Sequence, residues 1–298
     1  MPETSTLLRL TLPGLQAKKT AGERIVALTA YDYPVAELLD AAGVDILLVG
    51  DSLAMVVLGY DTTLPVTMDE MMHHVKPVAR AARRALVVAD MPFLSFHLSL
   101  EDTLRQAGRF IKEGGAHAVK LEGASPRRLE LVRALVEAEI PVMGHVGLTP
   151  QSVNRFGRFK VQGAEAVDAV RILRQAEALE TAGAFSVVLE CIPLEVAAEI
   201  TRRLTIPTIG IGAGPYCDGQ VLVFHDLVGC TRGYLPKFVR KYAEIDALIR
   251  EAVEKYSDDV RDGRFPADPQ SYHLGPAAKR RFRSDLKDVP PGRRKKGA

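Results

Sequence analysis

Cysteine is scarce in this chain. Its three copies, Cys191, Cys217 and Cys230, form no CxxC pair, and an odd, scattered set suits a reducing compartment better than a disulfide framework. No apolar run approaches the roughly 18 residues of a membrane span, and no signal-type apolar stretch stands near Met1, so a cytoplasmic protein is expected. Charge of one sign is also lacking, with a net +2 over 298 residues. Most of that excess is local. Gly275–Ala298 holds nine Lys/Arg against two Asp, which leaves the rest mildly acidic. This basic tail carries few large apolar residues and is expected to lack ordered structure. Nucleic-acid binding through its cations would be steeply salt-dependent, and a solvated tail is the favoured reading.

What the chain has is core-forming material, 47% hydrophobic residues against 26% charged, enough for one large domain. Short apolar, β-branched runs recur at Ile25–Ala30, Asp45–Gly50, Leu86–Met91, Ala118–Glu122, Pro141–His145, Ser186–Cys191, Pro207–Ile211 and Leu222–Asp226. Between them lie helical patterns at Val35–Ala42, Met68–Arg84, Leu100–Glu113, Pro126–Glu139, Glu165–Ala182 and Leu194–Leu204. Gly43, Gly114, Gly115 and Gly183 fit the helix C-termini. The alternation demands parallel strands with helical crossovers. Eight strands, nearly all ending in a polar residue, favour a closed (β/α)8 TIM barrel over an open sheet. Domain 1–274 is therefore read as the barrel, with an N-terminal cap and a C-terminal helical extension patterned from Phe238 to Val260, and 275–298 as the tail. Gly212–Gln220 is too short and Gly-rich for a full seventh helix.

The strand ends carry the chemistry. Asp51 and Ser52 follow ILLVG, Asp90 follows LVVA, Lys120 and Glu122 sit in AVKLEG, His145 follows PVMG and Glu190 follows SVVL. In this fold that end is the active-site face, so distant residues converge on one pocket. Helix capping is the bland alternative for Asp51 and Ser52. It does not account for Lys120, which shares a strand face with Glu122 at spacing two. Several carboxylates aimed at one mouth call for a cation. Without a Cys or His cluster beside them, the ion is a hard one, Mg2+ before Zn2+. Asp51 and Asp90 are the chosen direct ligands, with Glu122 direct or acting through water. Such a metal can chelate a 2-oxo acid and acidify the neighbouring C–H. Glu190 is then placed as the base, and Lys120 as the group that neutralises substrate charge. His73–His74 lie on a helical pattern without a third ligand and read as surface or interface residues. His225 is read as structural ahead of a place at the mouth. Tight turning alone explains GIGAG at Gly210–Gly214.

The ordered series LTAYDYP, LLVGDSLAMVVLGYDTTLPVTMDEM, VVADMPF, GAHAVKLEG, PVMGHVGLTPQSVN, GRFKVQG, VVLECIP, IPTIGIGAG, DGQVLVFHD and PKFVRKY closely resembles the ketopantoate hydroxymethyltransferases across about residues 22–266. The resemblance implies transfer of a one-carbon unit from 5,10-methylenetetrahydrofolate to 3-methyl-2-oxobutanoate, giving 2-dehydropantoate through a Mg2+-stabilised enolate. That is the first committed step of pantothenate biosynthesis. By motif, Asp51 and Ser52 in VGDS look like substrate and metal contacts, and Asp90 in VAD like a ligand of both. Lys120 and Glu122 in VKLEG look like the substrate lysine and a metal-associated acid, and Glu190 in LEC like the proton acceptor. His145 in GHVG is carried only as a candidate contact. The resemblance also implies a homodecamer. Two stretches depart from the family pattern, SFHLS at Ser95–Ser99 and the tail after Gly275. A metal-enolate lyase on the same barrel is the near rival, distinguished by needing no folate.

Overall fold

Eight short segments become strands, most of them buried on both faces, one toward the interior of a closed sheet and the other toward a ring of helices. In the computed structural model, which describes residues 9–157, 160–231, 233 and 235–289, these are β1 (Ile25–Thr29), β2 (Ile46–Val49), β3 (Leu86–Asp90), β4 (Ala118–Glu122), β5 (Val142–Gly147), β6 (Ser186–Glu190), β7 (Thr208–Ile211) and β8 (Gly219–Leu222). All neighbours pair in parallel, and β8 returns to β1 from Ile25↔Gly219 to Leu28↔Leu222. The chain folds as a closed (β/α)8 barrel.

The helices of this first unit are α1 (Leu12–Ala21), α2 (Tyr33–Ala41), α3 (Leu53–Val56), α4 (Met68–Ala81), α5 (Leu100–Lys112), α6 (Pro126–Glu137), α7 (Val153–Phe156), α8 (Ala166–Thr181), α9 (Leu194–Arg203) and α10 (Phe224–Leu227). Several begin where the side chain of a Thr, Asp or Ser accepts the amide three residues on. Asp32, Thr67, Ser99 and Ser125 do this for α2, α4, α5 and α6, satisfying donors that the first turn leaves unpaired.

Strand parity decides which residues fill the barrel. Ile25, Ala27, Ile46, Leu48, Leu86, Val88, Ala118, Met143, Val188, Ile209 and Val221 form one buried cluster inside it, closed by Leu15 of α1. The alternate residues, such as Leu47, Val87, Val119 and Val187, belong to the larger core beneath the helices. Two residues beyond the apolar interior positions of β3, β4, β5 and β6 come Asp90, Lys120, His145 and Glu190. With a period of two, these side chains face inward as the top layer of the barrel.

Some of the observed boundaries differ from expectation. The last strand is Gly219–Leu222 rather than Leu222–Asp226, and Phe224–Leu227 turns into a short helix. No helix intervenes after β7, so the chain re-enters the sheet at once. Gly219 permits that approach, since a Cβ there would stand 2.6 Å from the Ile25 carbonyl oxygen. The C-terminal helix α11 runs Ile245–Arg261 instead of starting at Phe238, because Val239 N closes a turn on Pro236 O and Tyr242 N donates to Leu227 O. The N-terminal cap is itself a helix, α1, started by Thr11 and stopped by Gly22 in the left-handed region. Compact units divide at Ala243/Glu244, upstream of the expected boundary at 274/275. The second unit contains α11 and α12 (Pro276–Asp285) and has no buried residue in either helix. The described part of the basic tail is thus helical over Pro276–Asp285, and 290–298 lie outside the described residues.

Candidate active site

The polar top layer is assembled by strand register. Asp90 of β3 pairs with Lys120 of β4, and Glu122 with His145 of β5, so each couple stands at one level on adjacent strands. Lys120 Nζ lies 2.7 Å from Asp90 Oδ1, both side chains being buried. The same ammonium is 3.4 Å from His145 Nδ1. An ammonium can only donate, so Nδ1 accepts and the imidazole proton resides on Nε2. That nitrogen is 3.2 Å from Glu190 Oε2, close but not aligned as a hydrogen bond. Glu122 Oε1 is 3.7 Å from His145 Nδ1.

Asp51 reaches the same group from just beyond β2. Its amide donates to Asp90 Oδ2 at 3.2 Å, and its Oδ2 accepts from Gln151 Nε2 at 2.9 Å. Capping is not its task, because the N-cap of α3 is Ser52 and no side-chain bond caps that helix. Ser52 Oγ instead lies 2.8 Å from the Tyr31 hydroxyl. Asp51, Asp90, Lys120, Glu122 and His145 are buried and Glu190 is half-buried, so all six polar strand-end positions meet at one mouth with Ser52 at its side.

Buried carboxylates outnumber the lysine, and their proton affinities respond. Burial, then the neighbouring Asp90 charge, pushes Asp51 up to about 7. Burial and Asp51 likewise raise Glu122 well above the ordinary carboxylate value. Burial alone would depress Lys120, but Asp90, Glu122 and Asp51 together outweigh it and raise its pKa. Burial, assisted by Lys120, lowers His145 and keeps the imidazole neutral.

A divalent cation suits this set. Asp51 Oδ1 accepts no hydrogen bond among the described residues, and the excess of buried negative charge would be relieved by a positive ion. Among the described residues no three His, Cys, Asp or Glu converge as a ligand cluster. Mg2+ does not require three, since it commonly takes one or two carboxylates and fills its octahedron with water or substrate oxygens.

Sequence reasoning missed Gln151 and Tyr31. Gln151 sits on the turn after β5; its amide donates to Glu122 Oε2 at 3.1 Å and its side chain bridges Asp51 Oδ2 and the Met91 carbonyl. Loop residues have no periodicity to betray their direction, and the only signal was a polar side chain following LTP at a strand end. Cys191, directly after Glu190, adopts φ 48°, a strained conformation for a residue with a Cβ. It is locked by Cys191 N to Ile211 O and Gln162 N to Cys191 O. The strain thus adjoins the candidate base.

The set-aside residues fall as follows. His73 is exposed and His74 Nδ1 lies 2.6 Å from the Tyr31 carbonyl. The His225 ring is 5.6 Å from that of Tyr31, beside the mouth rather than in the carboxylate group. At Gly212 and Gly214 an added Cβ would press on Phe238 and Leu194, so close packing accounts for both. Cys191 and Cys217 are free thiols.

A family model described as ketopantoate hydroxymethyltransferase matches residues 9–268. The chain belongs to this family. It is 54% identical over 268 residues to the 3-methyl-2-oxobutanoate hydroxymethyltransferase of Syntrophomonas wolfei subsp. wolfei, covering 90% of this chain and 97% of that one. The enzyme of the same name from Carboxydothermus hydrogenoformans is 55% identical with the same coverage, and that of Moorella thermoacetica 57% over 89% and 98%. Among solved structures, phosphonopyruvate hydrolase with oxalate and Mg2+ aligns with a TM-score of 0.58 at 13% identity over 93% of this chain and 97% of that one. A 2,3-dimethylmalate lyase of the PEP mutase/isocitrate lyase superfamily gives 0.55 at 15% identity over 95% and 100%. These likenesses concern the fold. Family membership makes the chain a hydroxymethyltransferase-type enzyme, and no helix among the described residues is long and apolar enough to cross a membrane.

Proposed function

We propose that this enzyme transfers the one-carbon unit of 5,10-methylenetetrahydrofolate to 3-methyl-2-oxobutanoate, with uptake of water, to give 2-dehydropantoate and tetrahydrofolate. Its relatives are named for hydroxymethyl transfer with 3-methyl-2-oxobutanoate, and the full reaction would place the chain in pantothenate biosynthesis. The observation that carries the reading is the meeting of Asp51, Asp90, Lys120 and Glu190 at the mouth of a barrel from this family.

Mg2+ held by Asp51 and Asp90, with Glu122 nearby, would act as a Lewis acid toward the keto and carboxylate oxygens of the substrate. Glu190 takes the C3 proton, since it is the least enclosed of the buried-face carboxylates and is not engaged by Lys120. Lys120, held on Asp90, meets negative charge developing on the substrate. Neutral His145 presents its Nε2 proton toward Glu190 and limits how that carboxylate can turn. Tyr31 fixes the hydroxyl of Ser52 at the edge of the mouth, where it can donate to a substrate carboxylate. The new bond forms between C3 and the methylene carbon, whose bonds to the carrier nitrogens break, and water supplies the hydroxyl oxygen.

Deuterium exchange at C3 of 3-methyl-2-oxobutanoate in D2O tests this, followed by NMR with Mg2+ or with EDTA. Exchange that needs the metal, followed by 2-dehydropantoate when 5,10-methylenetetrahydrofolate is added, is the expected result. Exchange without any folate requirement for product would favour a lyase instead, and absence of both would overturn the reading.

A further inference from the structure

A cavity of about 260 Å3 opens beside the carboxylate group, and the site described above uses only one of its walls. Glu122 and Gln151 form that shared wall. The opposite wall is aromatic. The His97 ring lies between two phenyl rings, 4.9 Å from Phe93 and 4.4 Å from Phe96 by centroids. Arg128 then covers Phe96 at 4.2 Å and donates to the Phe96 carbonyl at 2.7 Å. This tilted cluster of rings rests on a constrained turn after β3. Leu94 is held at φ 70°, its amide donates to His97 Nδ1 at 3.2 Å, and Ser95 Oγ donates to the Pro92 carbonyl. A left-handed Leu persists only where surrounding bonds impose it, and such strain gathers at binding loops.

The rim is basic. Arg155 makes no hydrogen bond or ion pair among the described residues, and the Arg128 guanidinium is bonded to a carbonyl rather than a carboxylate. Loss of water around the His97 ring, then the Arg128 charge, lowers the His97 pKa, so the aromatic wall is neutral and the two guanidinium groups supply the positive charge. Aromatic faces beside Arg155 and beside Arg128, whose guanidinium has no carboxylate partner among the described residues, suit an aromatic ring bearing carboxylates. The volume is below the several hundred cubic ångströms that enclose a whole drug-sized ligand, so one arm of a larger molecule is accommodated.

We propose that this pocket receives the aminobenzoylglutamate arm of the folate carrier, its ring against Phe93 and His97 and its carboxylates on Arg128 and Arg155. The inference rests on the reaction proposed above, which supplies a flat, anionic second substrate. The arm is chosen over the pterin because the guanidinium groups match carboxylates, which only the arm carries. Seated so, it directs the transferable carbon toward the wall of Glu122 and Gln151.

Free p-aminobenzoylglutamate is the probe. It should bind the full-length enzyme in a calorimetric titration and compete with 5,10-methylenetetrahydrofolate but not with 3-methyl-2-oxobutanoate. Arg155→Ala, on the exposed rim, and Phe93→Ala should each weaken the probe and raise KM for the folate about tenfold, the scale of one charge-assisted bond or one ring contact. Unchanged probe affinity and folate KM in both variants would overturn the proposal, as would competition with the 2-oxo acid. C3–H exchange by the wild-type enzyme needs no folate, so its absence would count against the reaction while the titration still decides the pocket.

Discussion

Lys120 Nζ and Asp90 Oδ1 stand 2.7 Å apart on adjacent strands at paired positions, both side chains almost wholly out of water. A lysine in that position is tolerable only because carboxylates surround it. Removing one partner of a buried pair leaves a charge that the interior cannot solvate, at a cost of about 3–5 kcal/mol. Lys120→Met should therefore lower unfolding stability by that order in urea, and Lys120→Met/Asp90→Leu should recover most of it. A double-variant loss equal to the sum of the Lys120→Met and Asp90→Leu losses would show that the pair is not coupled.

Asp51 gives a pH signature. Its carboxyl titrates near pH 7 in the metal-free fold against 3.8 for the free group. A folded-state pKa raised above the unfolded one means that the native protein holds the extra proton between those values. This contribution to stability is full below about pH 4 and is lost as pH rises to about 7. Mg2+ needs the ionised carboxylate, so its affinity should fall up to tenfold per pH unit below about 7 and level off above it. Thermal melting at pH 5.5 and 8, with EDTA and with Mg2+, checks both signs. The metal should stabilise more at the higher pH.

Much of this site was legible because a strand repeats every two residues. Asp90, Lys120 and Glu190 each follow an apolar residue of known inward parity by two places, so their direction was implied once the strands were recognised. Gln151 escaped because the turn after β5 has no such period. The last strand was displaced for another reason. VLVF is the more strand-like text, yet the sheet pairs Gly219–Leu222, where a glycine lets two backbones approach. The segment before α11 carries a helical pattern but is drawn out by the bond from Tyr242 N to Leu227 O, a tertiary contact that overrides local preference. The aromatic and basic pocket was invisible, since its residues come from the turn after β3, the first turn of α6 and the short helix α7.

Glu190→Gln separates binding from proton transfer. The amide nearly matches the carboxylate in shape and keeps a polar contact for His145, while Asp51 and Asp90 are untouched. Mg2+ affinity by calorimetry should stay within about threefold of wild type. C3–H exchange should fall by about 10²–10⁴, the span of general-base catalysis. Retained exchange would assign the base elsewhere.

Gly147 ties the backbone to that same carboxylate. It pairs with Glu190 across β5 and β6 and holds φ 96°, where an L side chain is strained. An added Cβ would overlap the Glu190 carbonyl oxygen and stand 2.8 Å from Ile192 Cγ2. Neither obstacle can turn aside, because Leu148 N is bonded to that same carbonyl at 2.8 Å and the Cys191 amide, next along, is bonded to Ile211 O. Gly147→Ala should thus cost about 3 kcal/mol or more in chemical denaturation. The exchange rate of the folded fraction should drop as well, since relief requires β6 to shift and Glu190 moves with it. Gly157→Ala is the control; it shares a positive φ of 72° but has nothing within 4 Å of its added Cβ, so it should lose about 1 kcal/mol without slowing exchange. Equal effects on exchange in the two variants would mean that backbone strain, and not the contact with Glu190, sets the rate.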